Sequence, residues 1–225
     1  MLRDTDRGFS LIEVLISVAI SSIIITAIYQ LFHSQQSSYL VQDQVAEMQQ
    51  NLRAGLFLMT KEIRSAGYDP TSSGNFGFVT DFAAPNDILT TNINYATDNN
   101  IIAFTMDDDE QGDFDANDNE LVAYRLNTSL NTLERYIWTD NAWKTVATNV
   151  DALNFVYLDA NGNVTTTPAN FQAVQITLLV RTGNEDTQYN NTEVYLNKQG
   201  DNICTSCAND HHRRRLLSTT IRIRN

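Results

Sequence analysis

An apolar stretch near the N-terminus constrains the fold more than any other feature of this 225-residue sequence. Residues 9–32 include 17 hydrophobic residues among 24 and a single charged side chain, that of Glu13. At about 1.5 Å per residue, a helix of this length would span roughly 36 Å, enough to cross the hydrocarbon core of a bilayer. A secretory signal peptide would have a shorter apolar core of about 7 to 15 residues. The stretch therefore predicts a helix that anchors the chain in a membrane.

The position of Glu13 inside this stretch calls for an explanation. An ionised carboxylate in hydrocarbon costs several kcal/mol unless it is paired, although an acid near the membrane edge can also reach water. The surrounding sequence RGFSLIEVL, residues 7–15, resembles the processing signal of type IV pilins and type II secretion pseudopilins. In that family a short hydrophilic leader ends in glycine, and a membrane prepilin peptidase cuts directly after it.

The resemblance implies a role for each position of this signal. Residues 1–8 would form the leader, cleavage would fall between Gly8 and Phe9, and Phe9 would then be N-methylated. Glu13 would act in subunit assembly by pairing with the new amine of an adjacent subunit. The chain would first lie in the bacterial inner membrane as a single-pass protein, with its head outside the cytoplasm, and would later enter a pilus.

The helical pattern continues beyond the apolar stretch. Apolar residues recur at spacings of three and four: Val41, Val45, Met48, Leu52, Leu56, Met59 and Ile63. Such a stripe indicates one helix face, and Gly67 and Pro70 would end the helix. We predict a membrane half over residues 9–32 and an amphipathic half over residues 33–66. The stripe could pack in a coiled-coil dimer, but packing against a sheet of the same chain is favoured because the following sequence is strand-like.

Residues 67–225 are predicted to form a β-rich head outside the cytoplasm. Short runs rich in β-branched and aromatic residues predict strands at 101–106, 121–126, 132–138, 153–158, 171–181 and 216–224. In the fifth run Val174, Ile176, Leu178 and Val180 alternate, which is typical of a half-buried strand. The expected fold is therefore α+β and pilin-like, with a long N-terminal helix packed on an antiparallel sheet.

The head also carries a narrower resemblance, to minor pilins of the PilW kind. The matching pieces are EIRSAGY at residues 62–68, Asn149-Val150 before a strand that ends near Asp159, and the final RIRN. This resemblance implies a structural subunit that helps to prime pilus assembly and stays near the pilus tip. Its partners would be prepilin peptidase and other minor and major pilins. A minor pseudopilin of a type II secretion system, or a bitopic membrane protein with an adhesive head, is the alternative.

Acidic residues are concentrated in one segment of the head. The formal net charge is −12, and residues 107–120 contain eight acids and no base. Such a balance argues against nucleic-acid binding, and clustered carboxylates can be relieved by a hard cation. The candidate Ca²⁺ ligands are Asp107, Asp109, Asp113, Asp115 and Asn117, although the spacing fails to complete an EF-hand. A solvated, flexible loop is the alternative, and no other cofactor is expected.

Cys204 and Cys207 stand close together near the C-terminus. In an exported head a local disulfide is the first interpretation, while His211 and His212 leave a metal site as a weaker alternative. The sequence contains none of the nucleophile, metalloprotease or phosphate-loop motifs that would indicate an enzyme. We therefore expect a non-catalytic protein.

Overall fold

The structure is a computed structural model that describes residues 9–82, 91–114 and 120–224. Its longest element is helix α1, Leu11–Ile63. The α-helix is shorter at both ends than the predicted range of 9–66. Ser10 precedes it as the capping residue, and a tighter turn follows it, in which the N–H of Ser65 donates to Glu62 O and that of Ala66 to Ile63 O. The predicted leader, residues 1–8, lies outside the described residues.

The chain divides into two compact units, the first ending at Asp43 and the second beginning at Gln44. In the first unit every residue from Phe9 to Leu40 is exposed. Within the described residues α1 is the one helix long and apolar enough to cross a membrane. This agrees with the length and hydrophobicity of the predicted anchor.

In its described residues, the second unit contains the end of α1, a short 3₁₀ helix at Pro168–Asn170 and three antiparallel sheets. The strands are β1 Asp81–Phe82, β2 Thr91–Asn92, β3 Ile101–Thr105, β4 Leu121–Asn127, β5 Thr132–Ile137, β6 Ala142–Thr148, β7 Val150–Leu158, β8 Ala173–Arg181 and β9 Arg214–Arg222. Strands β1 and β2 pair alone, β3 to β6 form a four-stranded sheet in sequence order, and β7 to β9 form a three-stranded sheet. The predicted α+β class with antiparallel pairing is confirmed. The head has separate sheets, however, where one was expected, and β6 was not predicted.

The apolar stripe of α1 packs on both larger sheets. Its buried members are Met48, Leu52, Leu56, Met59 and Ile63, and they share one core with side chains of β3, β4, β5, β7 and β8. At Gly55 the helix lies close to both sheets, since a Cβ atom there would lie 2.9 Å from Leu133 of β5 and 3.4 Å from Leu178 of β8. The helix therefore covers the region where the two sheets meet, as packing within one chain requires.

Polar contacts fix the end of α1 to the four-stranded sheet. Arg135 of β5 donates from Nε to both carboxylate oxygens of Glu62, at 3.1 and 2.9 Å, and the hydroxyl of Tyr124 in β4 donates to the same carboxylate. The side chains of Glu62 and Arg135 are each only 16 % exposed. Burial, then the charge of Glu62, raises the pKa of Tyr124, which therefore stays a neutral donor.

Strand β8 differs from the half-buried strand that its alternation predicted. Val174, Ile176, Leu178 and Val180 face the main core, but Leu179 on the other face is also fully buried. A second small core covers that face, in which Leu179 packs with Ala152, Tyr195 and Cys207. The segment that follows β8 therefore folds back over the three-stranded sheet.

Candidate functional site

The first candidate site is the N-terminal turn of α1. The backbone N–H of Ser10 donates to Oε2 of Glu13 at 2.8 Å, and the N–H of Glu13 donates to Oγ of Ser10 at 3.3 Å. This reciprocal pair is a capping box, in which two side chains satisfy backbone donors that a helix start leaves free. The carboxylate of Glu13 is therefore held at the helix start, one turn from Phe9.

Apolar residues complete this turn. Phe9 precedes the cap and Val14 follows Glu13, and both line the same groove on the helix surface. These are the two positions that a hydrophobic staple occupies. Sequence reasoning found Phe9 and Glu13 but missed Ser10, although the spacing Ser-x-x-Glu before an apolar run is a recognisable capping signal. Gly8 lies outside the described residues.

The second candidate site is a cluster of carboxylates in the head. One carboxylate oxygen from each of Asp107, Asp109 and Glu120 lies within 4.8 Å of the others. Asp107 and Glu120 are fully buried, whereas Asp109 is exposed. Carboxylate oxygens at these separations are ligands that a hard divalent cation prefers.

Three segments of the fold position this cluster. The antiparallel pairing of β3 with β4 sets Thr105 opposite Leu121, so that the chain leaves β3 beside the point where it enters β4. The N–H of Met106 donates to the carbonyl of Glu120 at 2.9 Å, and that of Asp107 donates to the carbonyl of Tyr68 at 2.9 Å. The cluster therefore lies where β3 ends and β4 begins, beside the turn after α1.

The loop between Asp107 and Gly112 is closely packed. Gly112 has a φ of +82°, and a Cβ atom there would collide with the side chain of Thr71. Its N–H donates to Oδ2 of Asp107 at 3.0 Å, while the N–H of Gln111 donates to Oδ1 of Asp109 at 3.0 Å. Only glycine suits this position, both in conformation and in space.

The loop that carries the cluster is negatively charged. The charge of Glu110 is the main cause that raises the pKa of Tyr68, followed by burial, the hydrogen bond to Glu110 and the charge of Asp107. Within the described part of the chain, neither Asp107 nor Asp109 has a basic partner. These two carboxylates are therefore not neutralised by any Lys or Arg that the structure describes.

The cluster matches the predicted ligand set only in part. Asp107 and Asp109 lie in it, Asp113 is exposed and outside it, and Asp115 and Asn117 lie outside the described residues. Glu120 was counted among the acids of the segment but not among the ligands. The signal that could have identified it is the hairpin register, which brings the end of one strand beside the start of the next.

Cys204 and Cys207 form the expected disulfide, with their Cα atoms 5.5 Å apart. Since both sulfur atoms are bonded, neither is available as a metal ligand beside His211 and His212. The two histidines instead contact backbone carbonyls, His211 through Nδ1 to Tyr189 and His212 through Nδ1 to Thr182. The disulfide loop covers β8 and contributes Cys207 to the second core.

The basic run at residues 213–215 is largely engaged in ion pairs. The side chain of Arg214 is only 2 % exposed and lies 2.6 Å from Asp151 and 2.5 Å from Asp210. Arg213 pairs with Asp186 at 2.8 Å. The hydrogen bonds of Arg214 hold the pKa of Asp210 below its usual value, and those of Arg213 do the same for Asp186. These arginines serve the fold of the head.

Comparisons with known proteins agree with both units. Residues 3–29 match the family model of the prokaryotic N-terminal methylation motif, and residues 41–216 match that of prepilin peptidase-dependent protein B. A type IV-like pilin from Thermus thermophilus, TTHA1219, is similar in structure, with 11 % identity, a TM-score of 0.47 and coverage of 77 % of this chain and 95 % of that one. No curated protein sequence matches. The chain therefore belongs to the prepilin peptidase-dependent protein B family and is a type IV pilin-like protein.

Proposed function

We propose that this chain is a minor type IV pilin, a structural subunit that helps to prime pilus assembly and sits at or near the pilus tip. Prepilin peptidase would cut between Gly8 and Phe9, and Phe9 would then be methylated. The observation that carries the proposal is the capped start of α1. Glu13 is held there at the N-terminal end of a helix whose apolar residues are exposed from Phe9 to Leu40.

The geometry of this turn supports an assembly role for Glu13. Cleavage after Gly8 would free a cationic amine on Phe9, directly before the capping residue Ser10. An amine and a carboxylate are both costly in hydrocarbon, and each is relieved by an opposite charge on a neighbouring subunit. Such a pairing is head-to-tail and does not close on itself, so repeated contacts of this kind build a helical filament.

The same features support a location and a set of partners. Before assembly the apolar half of α1 would span the inner membrane once, with the head outside the cytoplasm. After cleavage it would pack among the corresponding helices of other minor and major pilins. This role requires no cofactor, and a Ca²⁺ ion in the head would act on stability rather than on the chemistry of assembly.

The first test compares two acids of the same helix. Glu13→Ala should be processed but should be lost from purified pili by at least about tenfold, because the partner's amine then has no counter-charge. Glu47→Ala removes an exposed acid outside the apolar stretch and should be incorporated like the wild type. The measurements are immunoblots of sheared pili and mass spectrometry of the N-terminus. Equal incorporation of Glu13→Ala, or an N-terminus other than methylated Phe9, would contradict the proposal.

A second test separates a minor pilin from its alternatives. Deletion of the gene should reduce the number of surface pili, while quantitative mass spectrometry of pili should find this chain far below the main subunit in amount. Loss of protein secretion with normal piliation would instead indicate a minor pseudopilin. An unprocessed chain that remains in the membrane would indicate a bitopic protein with an adhesive head.

A further inference from the structure

Among the described residues, one carboxylate oxygen of a buried acid in the head lacks the partner that its burial requires. Asp107 is fully buried, and its Oδ2 accepts the N–H of Gly112 at 3.0 Å. Its Oδ1 is also buried and has no hydrogen-bond donor among the described residues. A buried ionised oxygen without a donor or counter-charge is costly, so native structures rarely keep one without an ion, a water or a proton.

The residues around Asp107 indicate whether it binds an ion, a water molecule or a proton. If Asp107 bound only a proton or a water molecule, other carboxylates would not be expected next to it. The carboxylates of Asp109 and Glu120 nevertheless lie beside Asp107. Glu120 is itself fully buried, so that two acids are removed from water at one place. Like charges in a buried cluster repel each other, and a divalent cation relieves this repulsion better than a single proton can.

The separation of the oxygen atoms fits calcium. Ca²⁺ binds oxygen at about 2.4 Å, so two ligands of one ion can be at most about 4.8 Å apart. The three carboxylate oxygens lie within 4.8 Å of one another. Mg²⁺ is smaller, demands near-ideal octahedral geometry and gives up its water ligands reluctantly, so Ca²⁺ suits a set of protein carboxylates better.

We propose that Asp107, Asp109 and Glu120 bind one Ca²⁺ ion, which holds the end of β3 and the start of β4 together beside the turn after α1. This inference does not depend on the proposed pilin role. The site differs from a loop-only site, because Glu120 enters β4 while Asp107 is tied to the carbonyl of Tyr68. With three carboxylates, one of them exposed, the expected dissociation constant is about 10⁻⁴ to 10⁻³ M, the range of extracellular calcium modules.

The test uses the full chain in detergent micelles after treatment with a chelator. CaCl₂ is titrated by calorimetry, and thermal unfolding is followed with and without 5 mM CaCl₂, about five times the highest expected dissociation constant. The informative variants are Asp107→Asn and Asp109→Asn, of which the second removes an exposed ligand and leaves the buried packing intact. Asp108→Asn is the matched control, since it removes the same charge from an exposed neighbour outside the cluster.

We expect one ion per wild-type chain and a rise in the unfolding temperature with CaCl₂. Asp107→Asn and Asp109→Asn should each weaken binding by about tenfold or more, whereas Asp108→Asn should change it by less than about twofold. Absence of saturable binding below 10 mM would overturn the proposal. So would an equal loss in all three variants, which would indicate only a diffuse negative charge. A protein stabilised by acid but not by calcium would show that the buried acids share a proton instead.

Discussion

The two halves of α1 share one backbone but differ in what surrounds them. Residues 9–40 are exposed throughout, whereas Met48, Leu52, Leu56, Met59 and Ile63 are buried against the sheets. Both halves carry apolar residues, so hydrophobicity alone does not decide which part is covered within the chain. The sheets cover one face of the second half, whereas residues 9–32 are apolar on nearly all sides and require lipid or other helices as a cover.

The polar residues of the first half fit this difference. Its hydroxyl groups donate to backbone carbonyls of the preceding turn: Ser17 to Glu13 at 2.7 Å and Thr26 to Ser22 at 2.8 Å. Such bonds satisfy the donors of these side chains, which would be costly if they were left unpaired in hydrocarbon. The second half instead uses side chains such as Glu62 to contact other elements.

The largest effect should distinguish a covered from an uncovered apolar residue. Met59 is fully buried, and Met59→Ala should lower the free energy of unfolding of the head by about 2 to 5 kcal/mol, because it removes contacts and leaves a cavity. Ile24→Ala is the matched change in the exposed half and should leave the head's unfolding transition within about 0.5 kcal/mol. Chemical unfolding in micelles measures both. Similar losses would mean that the two halves are stabilised in the same way.

The next largest effect concerns the ion pair between Glu62 and Arg135, which attaches the buried half of α1 to the four-stranded sheet. Glu62→Ala would leave Arg135 partly buried without its carboxylate, and we expect a loss of about 3 kcal/mol in the free energy of unfolding. Lys61→Ala, at an exposed neighbouring position, should cost less than about 0.5 kcal/mol. Denaturation followed by near-UV circular dichroism would measure the difference. A loss of equal size in both variants would contradict a specific contribution of the ion pair.

Gly55 tests how closely the covered half approaches the sheets. Gly55→Val should destabilise the head by about 1 to 3 kcal/mol, because the added methyl groups meet Leu133 and Leu178. Gly55→Ala should have a smaller effect, since a gain of about 1 kcal/mol in helix propensity offsets a small shift of the flexible end of Leu133. Thermal unfolding of the pair compares them. If valine were tolerated as well as alanine, the short distance between Gly55 and the two sheets would be contradicted.

The smallest expected effect is a loss of stability at acid pH, which follows from the ion pairs close to the disulfide. The pKa of Asp210 is lowered in the folded state, so the unfolded chain binds more protons as the pH falls. The stabilisation is complete above the unfolded-state pKa of about 4 and is lost as the pH falls through the lower folded-state value. Urea unfolding at pH 6.5 and pH 3 should show this loss, and Asp210→Asn should reduce it. Asp140→Asn, at an exposed position, should retain the wild-type difference.

The sequence predicted elements whose pattern is local and missed contacts between distant residues. Strands β3, β4 and β5 begin at the predicted residues because apolar and β-branched runs define them. Strand β6 was not predicted because it is a largely exposed edge strand that carries Lys144 and buries few side chains. The pair of Glu62 with Arg135 joins residues 73 positions apart, and no spacing rule reveals it.

The candidate sites follow the same division. Glu13 was recognisable from a short motif, and the disulfide from two close cysteines. The carboxylate cluster was only partly predicted, because Glu120 joins it through strand pairing rather than through the local order of acids. The covered second face of β8 was missed because the segment that covers it lies beyond the strand and has no regular period.

The end of α1 also has a mechanical consequence. Glu62 is bonded to Arg135, the N–H of Gly67 donates to Thr105 O, and the carbonyl of Arg64 accepts the N–H of Arg224 near the C-terminus. These attachments reach β5, β3 and the segment after β9, so a pull along the helix axis loads all of them at once. Bonds that share tension in this way must break together, whereas bonds loaded in series open one after another. We therefore expect the head to resist extraction of its helix as a single cooperative unit.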